Sequence, residues 1–105
     1  MGMNAEVIAI GPYSNAVADW LEYPRECYAE TRPGTTVLVK VFEGVTGDLS
    51  RALASYLGAS AWDFNTHELD PSKANLEALS NEFDGVEKFV ALRSAGFRFY
   101  YMPNG

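Results

Sequence analysis

The densest set of potential ligands in the chain is Asp63-x-Asn65-x-His67-Glu68-x-Asp70. Carboxylates and an imidazole are donors that suit zinc or manganese. The opening also resembles a calcium loop in composition. A calcium loop needs glycine at its sixth position and a bidentate glutamate at its twelfth. Those positions hold Glu68 and Ala74, which excludes an EF-hand. A transition-metal site would want a second histidine or a cysteine close by, yet His67 is the only histidine and Cys27 the only cysteine. Asp and Asn are turn and cap formers. The stretch is therefore expected to be a capped surface loop holding no metal and no cofactor. Trp62, Asp63, His67 and Glu68 are kept as binding candidates.

A second candidate is Glu43-Gly44-Val45-Thr46-Gly47, which the pattern places between a strand and a helix start. Free N–H groups at such a place can bind anions. The glycine spacing and lysine of a P-loop are missing, and Asp48 would repel a phosphate. If the first strand and the strand ending near Phe42 are parallel neighbours, Gly11-Pro12-Tyr13-Ser14 falls at the same end of the sheet. Tyr13, Ser14, Glu43 and Thr46 would then line a pocket, with His67 and Glu68 reaching it from their loop.

Nucleophilic catalysis would need Cys27 or a serine beside a base. None of the local signatures of cysteine enzymes surrounds Cys27, and a lone cysteine on a strand is usually a small buried hydrophobe. These residues do not favour catalysis, and an enzyme is kept as the alternative reading. The chain's aromatic residues are more suggestive. Tyr13, Trp20, Tyr23, Tyr28, Trp62, Phe64, Tyr100 and Tyr101 exceed what a chain of 105 residues can bury, and Tyr and Trp are the side chains that carry interfaces.

The elements that must position these residues follow from periodicity. Residues 6–10 are almost wholly apolar and read as a central strand. Gly11-Pro12 ends it, and Ser14 caps a short helix carrying Val17, Trp20 and Leu21, which stops before Pro24. Residues 26–31 and 35–43 read as a hairpin about Arg32-Pro33-Gly34. On its second arm Val37, Val39 and Val41 share one face, while Leu38, Lys40 and Phe42 share the other. Asp48 is the expected N-cap of a helix whose stripe is Leu49, Ala52, Leu53, Tyr56 and Leu57, and Gly58 is its expected terminator. Residues 62–70 read as irregular. Asp70-Pro71 opens a helix with Leu76, Leu79 and Phe83 on its inner side. Val86, Phe89 and Val90 mark another helix, stopped near Gly96, and residues 97–102 form an aromatic last strand.

The expected order is β-α-β-β-α(αα)-β. It describes an α+β two-layer sandwich: a mostly antiparallel sheet of about four strands with helices on one face, in ferredoxin-like order with a helical insertion. Residues 1–105 form a single domain at this length. The strands at 6–10 and 35–43 would be central and the last strand an edge. The face bearing Leu38, Lys40 and Phe42 would be open or covered by the extra helices.

The net charge is −6, and residues 60–92 carry two lysines against seven carboxylates. Such a surface repels phosphate backbones, which speaks against nucleic-acid binding. The longest apolar run falls well short of a membrane span, and the N-terminus lacks the pattern of a signal peptide. A single cysteine fits a reducing compartment, so a cytoplasmic location is expected. Two functional readings remain. One is an acidic protein-interaction domain, neutralising or regulating a basic protein partner, or pairing with itself. The other is a small-molecule binder or enzyme using the pocket at the loop end of the central strands.

Overall fold

The computed structural model describes residues 4–14, 17, 20, 36–59 and 65–104, with the side chains of residues 43, 44 and 104 left out. Its elements are β1 (Asn4–Pro12), β2 (Thr36–Thr46), α1 (Asp48–Tyr56), β3 (His67–Leu69), α2 (Leu76–Glu82), α3 (Val86–Ser94) and β4 (Arg98–Asn104), with a 3-10 turn at Pro71–Lys73. The strands form an antiparallel sheet in the order β2-β1-β4-β3, with the helices packed on one face. This is the expected two-layer α+β sandwich. The hairpin arm at 26–31, its turn and Cys27 lie outside the described residues, so ferredoxin-like order is not established by these strands.

Three parts of the expected topology change. β1 and β2 are neighbours, as expected, but antiparallel: Pro12 pairs with Thr36 and Asn4 with Thr46. β4 is not an edge, because it lies between β1 and β3. Its inward side chains suit that place: Phe99 and Tyr101 are fully buried and aromatic residues favour strands. The third change is that the stretch read as irregular contains β3, a strand of three residues. It lies at the end of the described sheet, where a short, polar strand is tolerated.

The sheet core is built from small residues on β1 and large ones beside them. β1 points Ala5, Val7, Ala9 and Gly11 inward; Ala9 faces Val39 and Phe99, and Val7 faces Phe42 and Tyr101. Gly11 leaves room for a ring. A β-carbon there would stand 2.6 Å from the nearest ring carbon of Phe97, which is itself buried. From the helical layer Leu53, Ala54, Leu57, Leu79, Phe89 and Leu92 close over this surface.

β2 carries a correction of its own. Its ladder with β1 shifts register between Val7 and Ile8, so that Ile8 pairs with Lys40 and Val7 with Phe42, leaving Val41 as the extra residue. A one-residue bulge exchanges the faces of whatever lies beyond it. Phe42 therefore turns inward, 3% exposed, with its ring centroid 6.3 Å from Phe89 and 6.1 Å from Phe83. Leu38 and Lys40 keep the outward face alone. The strand also runs on through residues 43–46, so the expected loop shrinks to Gly47.

The helix ends follow the local rules with two changes. Gly47, not Asp48, is the N-cap of α1, at φ 62°. The Ser50 hydroxyl donates to the Gly47 carbonyl at 2.6 Å, which restrains this turn. Gly58 ends α1 at φ 73°, as expected. Asp70 caps only the 3-10 turn, accepting from the Ser72 N–H at 3.0 Å, and α2 begins later under Asn75, whose side chain accepts from the Ala78 N–H at 3.1 Å. Pro71 and the extended Ala74 separate the two.

Candidate functional site

The sequence pocket does not assemble. It required β1 and β2 to run parallel, and they run antiparallel. Tyr13 and Ser14 follow the end of β1 that pairs with Thr36, whereas Glu43 and Thr46 lie towards the other end. At about 3.4 Å per residue, nine strand residues separate Tyr13 from Thr46 by roughly 30 Å. His67 occupies the far edge of the described sheet: it pairs with Tyr101, Tyr101 with Val7, and Val7 with Phe42. Three strand spacings put it roughly 14 Å from β2.

Each candidate has a local role. Tyr13 packs against the core. The Ser14 carbonyl accepts from the Val17 N–H at 3.2 Å. Thr46 is exposed, and Glu43 lies within β2. Trp62 and Asp63 lie outside the described residues. His67 is half-buried against the Tyr101 ring, with centroids 5.6 Å apart, and its Nδ1 lies 2.9 Å from the Asn65 carbonyl. Among the described residues, no group of three or more His, Cys, Asp or Glu side chains could hold a metal ion. Two surface clefts of about 370 and 300 Å³ flank Phe83 and Asp84, and neither is lined by a residue of the expected pocket.

The arrangement with the most to offer a ligand is instead the outer face of the sheet. Ile8 pairs with Lys40 on one side and Tyr100 on the other, and Tyr100 pairs with Glu68. One row therefore crosses all four described strands: Lys40, Ile8, Tyr100, Glu68. The next row holds Leu38, Ile10 and Arg98, and the row on the other side holds Glu6 and Met102. Ile8, Ile10, Tyr100 and Met102 are half-buried, and Leu38 is 50% exposed. The helical layer lies behind the opposite face. Leu38 is thus a large apolar side chain beside other apolar groups on the side of the sheet away from the core.

Among the described residues, this face carries two ion pairs. Arg98 donates through Nε and an η-nitrogen to the two Glu68 carboxylate oxygens, at 2.7 and 2.9 Å. Lys40 Nζ lies 3.9 Å from Glu6. The guanidinium bonds hold the Glu68 carboxyl below the usual carboxylate range. A depressed folded pKa contributes stability above the unfolded carboxylate pKa, and the contribution is lost as pH falls through the folded value. Both groups are exposed, so the pair orders the face more than it stabilises the fold. In Arg98→Ala, the Glu68 carboxyl should titrate at higher pH than in the parent chain by NMR. An unchanged titration would show that the two groups do not hold each other in solution.

Two parts of this site escape the sequence pattern. The partnership of Glu68 with Arg98 spans 30 residues and depends on β3, which the pattern does not reveal. The bulge at Val41 decides that Leu38 and Lys40, without Phe42, face outward. No family model, curated protein or solved structure matches the chain.

Proposed function

We propose that the chain is a non-enzymatic protein-interaction domain that binds through the outer face of its sheet. The observation supporting this is the set Leu38, Ile8, Ile10, Tyr100 and Met102, gathered on the face away from the core and framed by two ion pairs. Apolar centres with polar rims are the anatomy of protein interfaces, and contiguous apolar surface on a small protein marks a contact site. The net charge of −6 favours the approach of a basic protein, which the domain would neutralise or regulate. That same charge disfavours nucleic acid. The single cysteine fits work in the cytoplasm. No helix among the described residues is long and apolar enough to cross a membrane.

The test is affinity capture with the immobilised chain and with its Leu38→Asp variant, at low and raised salt. The parent should retain a protein that the variant loses, and raised salt should weaken retention of a basic partner. Identical retention by both chains would overturn the proposed contact face. The alternative reading, a pocket lined by Tyr13, Ser14, Glu43 and Thr46, has no support in the geometry.

A further inference from the structure

The row Lys40–Ile8–Tyr100–Glu68 is antisymmetric in charge: a cation on β2, a carboxylate on β3, and two apolar side chains between them. We infer that the outer face docks a second copy of this chain, face to face, about a two-fold axis parallel to the strands and midway between β1 and β4. The inference rests on the interaction reading above and puts a second copy, in place of a basic protein, on the same face.

The geometry selects both the partner and the axis. A two-fold axis along the strands lays β2 over β3 of the second copy and β1 over β4. Lys40 then meets the partner's Glu68, Ile8 meets the partner's Tyr100, and the symmetry repeats each contact. The Arg98 stem would then lie over Ile10 of the second copy, which suits a side chain that covers apolar surface while its head stays hydrated. An axis across the strands would place Lys40 on Lys40 and Glu68 on Glu68, which like-charge repulsion opposes.

Two chains of net charge −6 repel each other over most of their surface. Among the described residues of the four strands, the outer face carries Glu6 and Glu68 against Lys40 and Arg98, which balance, so two copies meet less of that penalty there than elsewhere. Facing sheets pack about 10 Å apart, close enough for these side chains to meet. The face spans roughly 14 Å across the strands and about 30 Å along β1, the small end of specific interfaces. Association should therefore be weak.

Sedimentation velocity on the purified chain, from about 1 μM to roughly 500 μM, covers the range in which such an interface associates. The parent chain should pass from monomer to dimer across this series. Lys40→Glu should weaken the dimer by about tenfold or more, because both symmetry-related contacts become repulsive. The variant combining Glu6→Lys, Lys40→Glu, Glu68→Lys and Arg98→Glu keeps both internal ion pairs and the net charge but reverses the row. It should dimerise with itself and form no mixed dimer with the parent. A parent that stays monomeric throughout overturns the second-copy inference, as does a dimer indifferent to Lys40→Glu, or free mixing of parent and reversed chains. A monomer that still captures a different protein through Leu38 would overturn this inference alone. A monomer with no Leu38-dependent capture would overturn the interaction reading with it.

Discussion

Phe89→Ala is expected to lower the unfolding free energy by about 3–5 kcal/mol, the range for removing a fully buried aromatic ring. Phe89 is the point at which the two layers lock. Its ring lies 4.7 Å from Phe99 on β4 and 6.3 Å from Phe42 on β2, centroid to centroid, and it has no solvent exposure. The Arg93 guanidinium sits 5.8 Å from the same centroid while its η-nitrogen donates to the Pro71 carbonyl at 3.4 Å. Truncation leaves a cavity bounded by strands on one side, which cannot collapse without breaking the sheet. A domain of this size loses about 4–8 °C of Tm per kcal/mol, so the midpoint should fall by about 12 °C or more. Urea unfolding measures it directly: the midpoint should drop with the slope preserved. A loss below about 1 kcal/mol would mean that Phe89 is not the interlayer contact that its burial implies.

Much of this fold is legible in the sequence because one periodicity dominates each element. The stripe Leu49, Ala52, Leu53, Tyr56 and Leu57 predicts α1, and Leu53 and Leu57 are buried as the stripe requires. The apolar run at 6–10 predicts a central strand, and β1 lies between β2 and β4. Leu49 departs from its stripe and is 51% exposed. Its position in the first turn, after the turn at Gly47, places it outside the contact with the sheet.

What the pattern misses is set by contacts between distant segments. Strand direction cannot be read from a single strand, and the antiparallel β1–β2 pairing alone takes apart the expected pocket. β3 is three residues long, too short for alternation to register. The bulge at Val41 is invisible because Val41 and Phe42 are both apolar, so neither face shows a break. That bulge nevertheless moves Phe42 from the outer face into the core. Ser50 is a polar residue in the buried layer with no signal in its local sequence. Its carbonyl accepts from the Tyr101 hydroxyl at 3.4 Å, across 51 residues. The site was legible in its residue types, aromatic and apolar groups beside charges, and illegible in its pairings.

The proposed interface requires the outer face to be free of the domain's own core. Leu38 and Val39 are adjacent on β2 and point to opposite sides: Leu38 is 50% exposed and Val39 fully buried. Val39→Asp would place a carboxylate against Ala9 and the helical layer. A buried charge without a partner costs several kcal/mol, about 3 or more, enough to unfold much of a domain with a stability of about 5–15 kcal/mol. Leu38→Asp places the same carboxylate on the outward face, where surface substitutions stay within about 0.5 kcal/mol.

Urea unfolding of these two variants, at a protein concentration low enough to keep the chain monomeric, tests the account most directly. The prediction is a midpoint near the parent's for Leu38→Asp and a collapsed one for Val39→Asp. Equal losses in the two variants would show that the chain buries both faces of its own sheet, and the outer face would then have no surface to offer a partner.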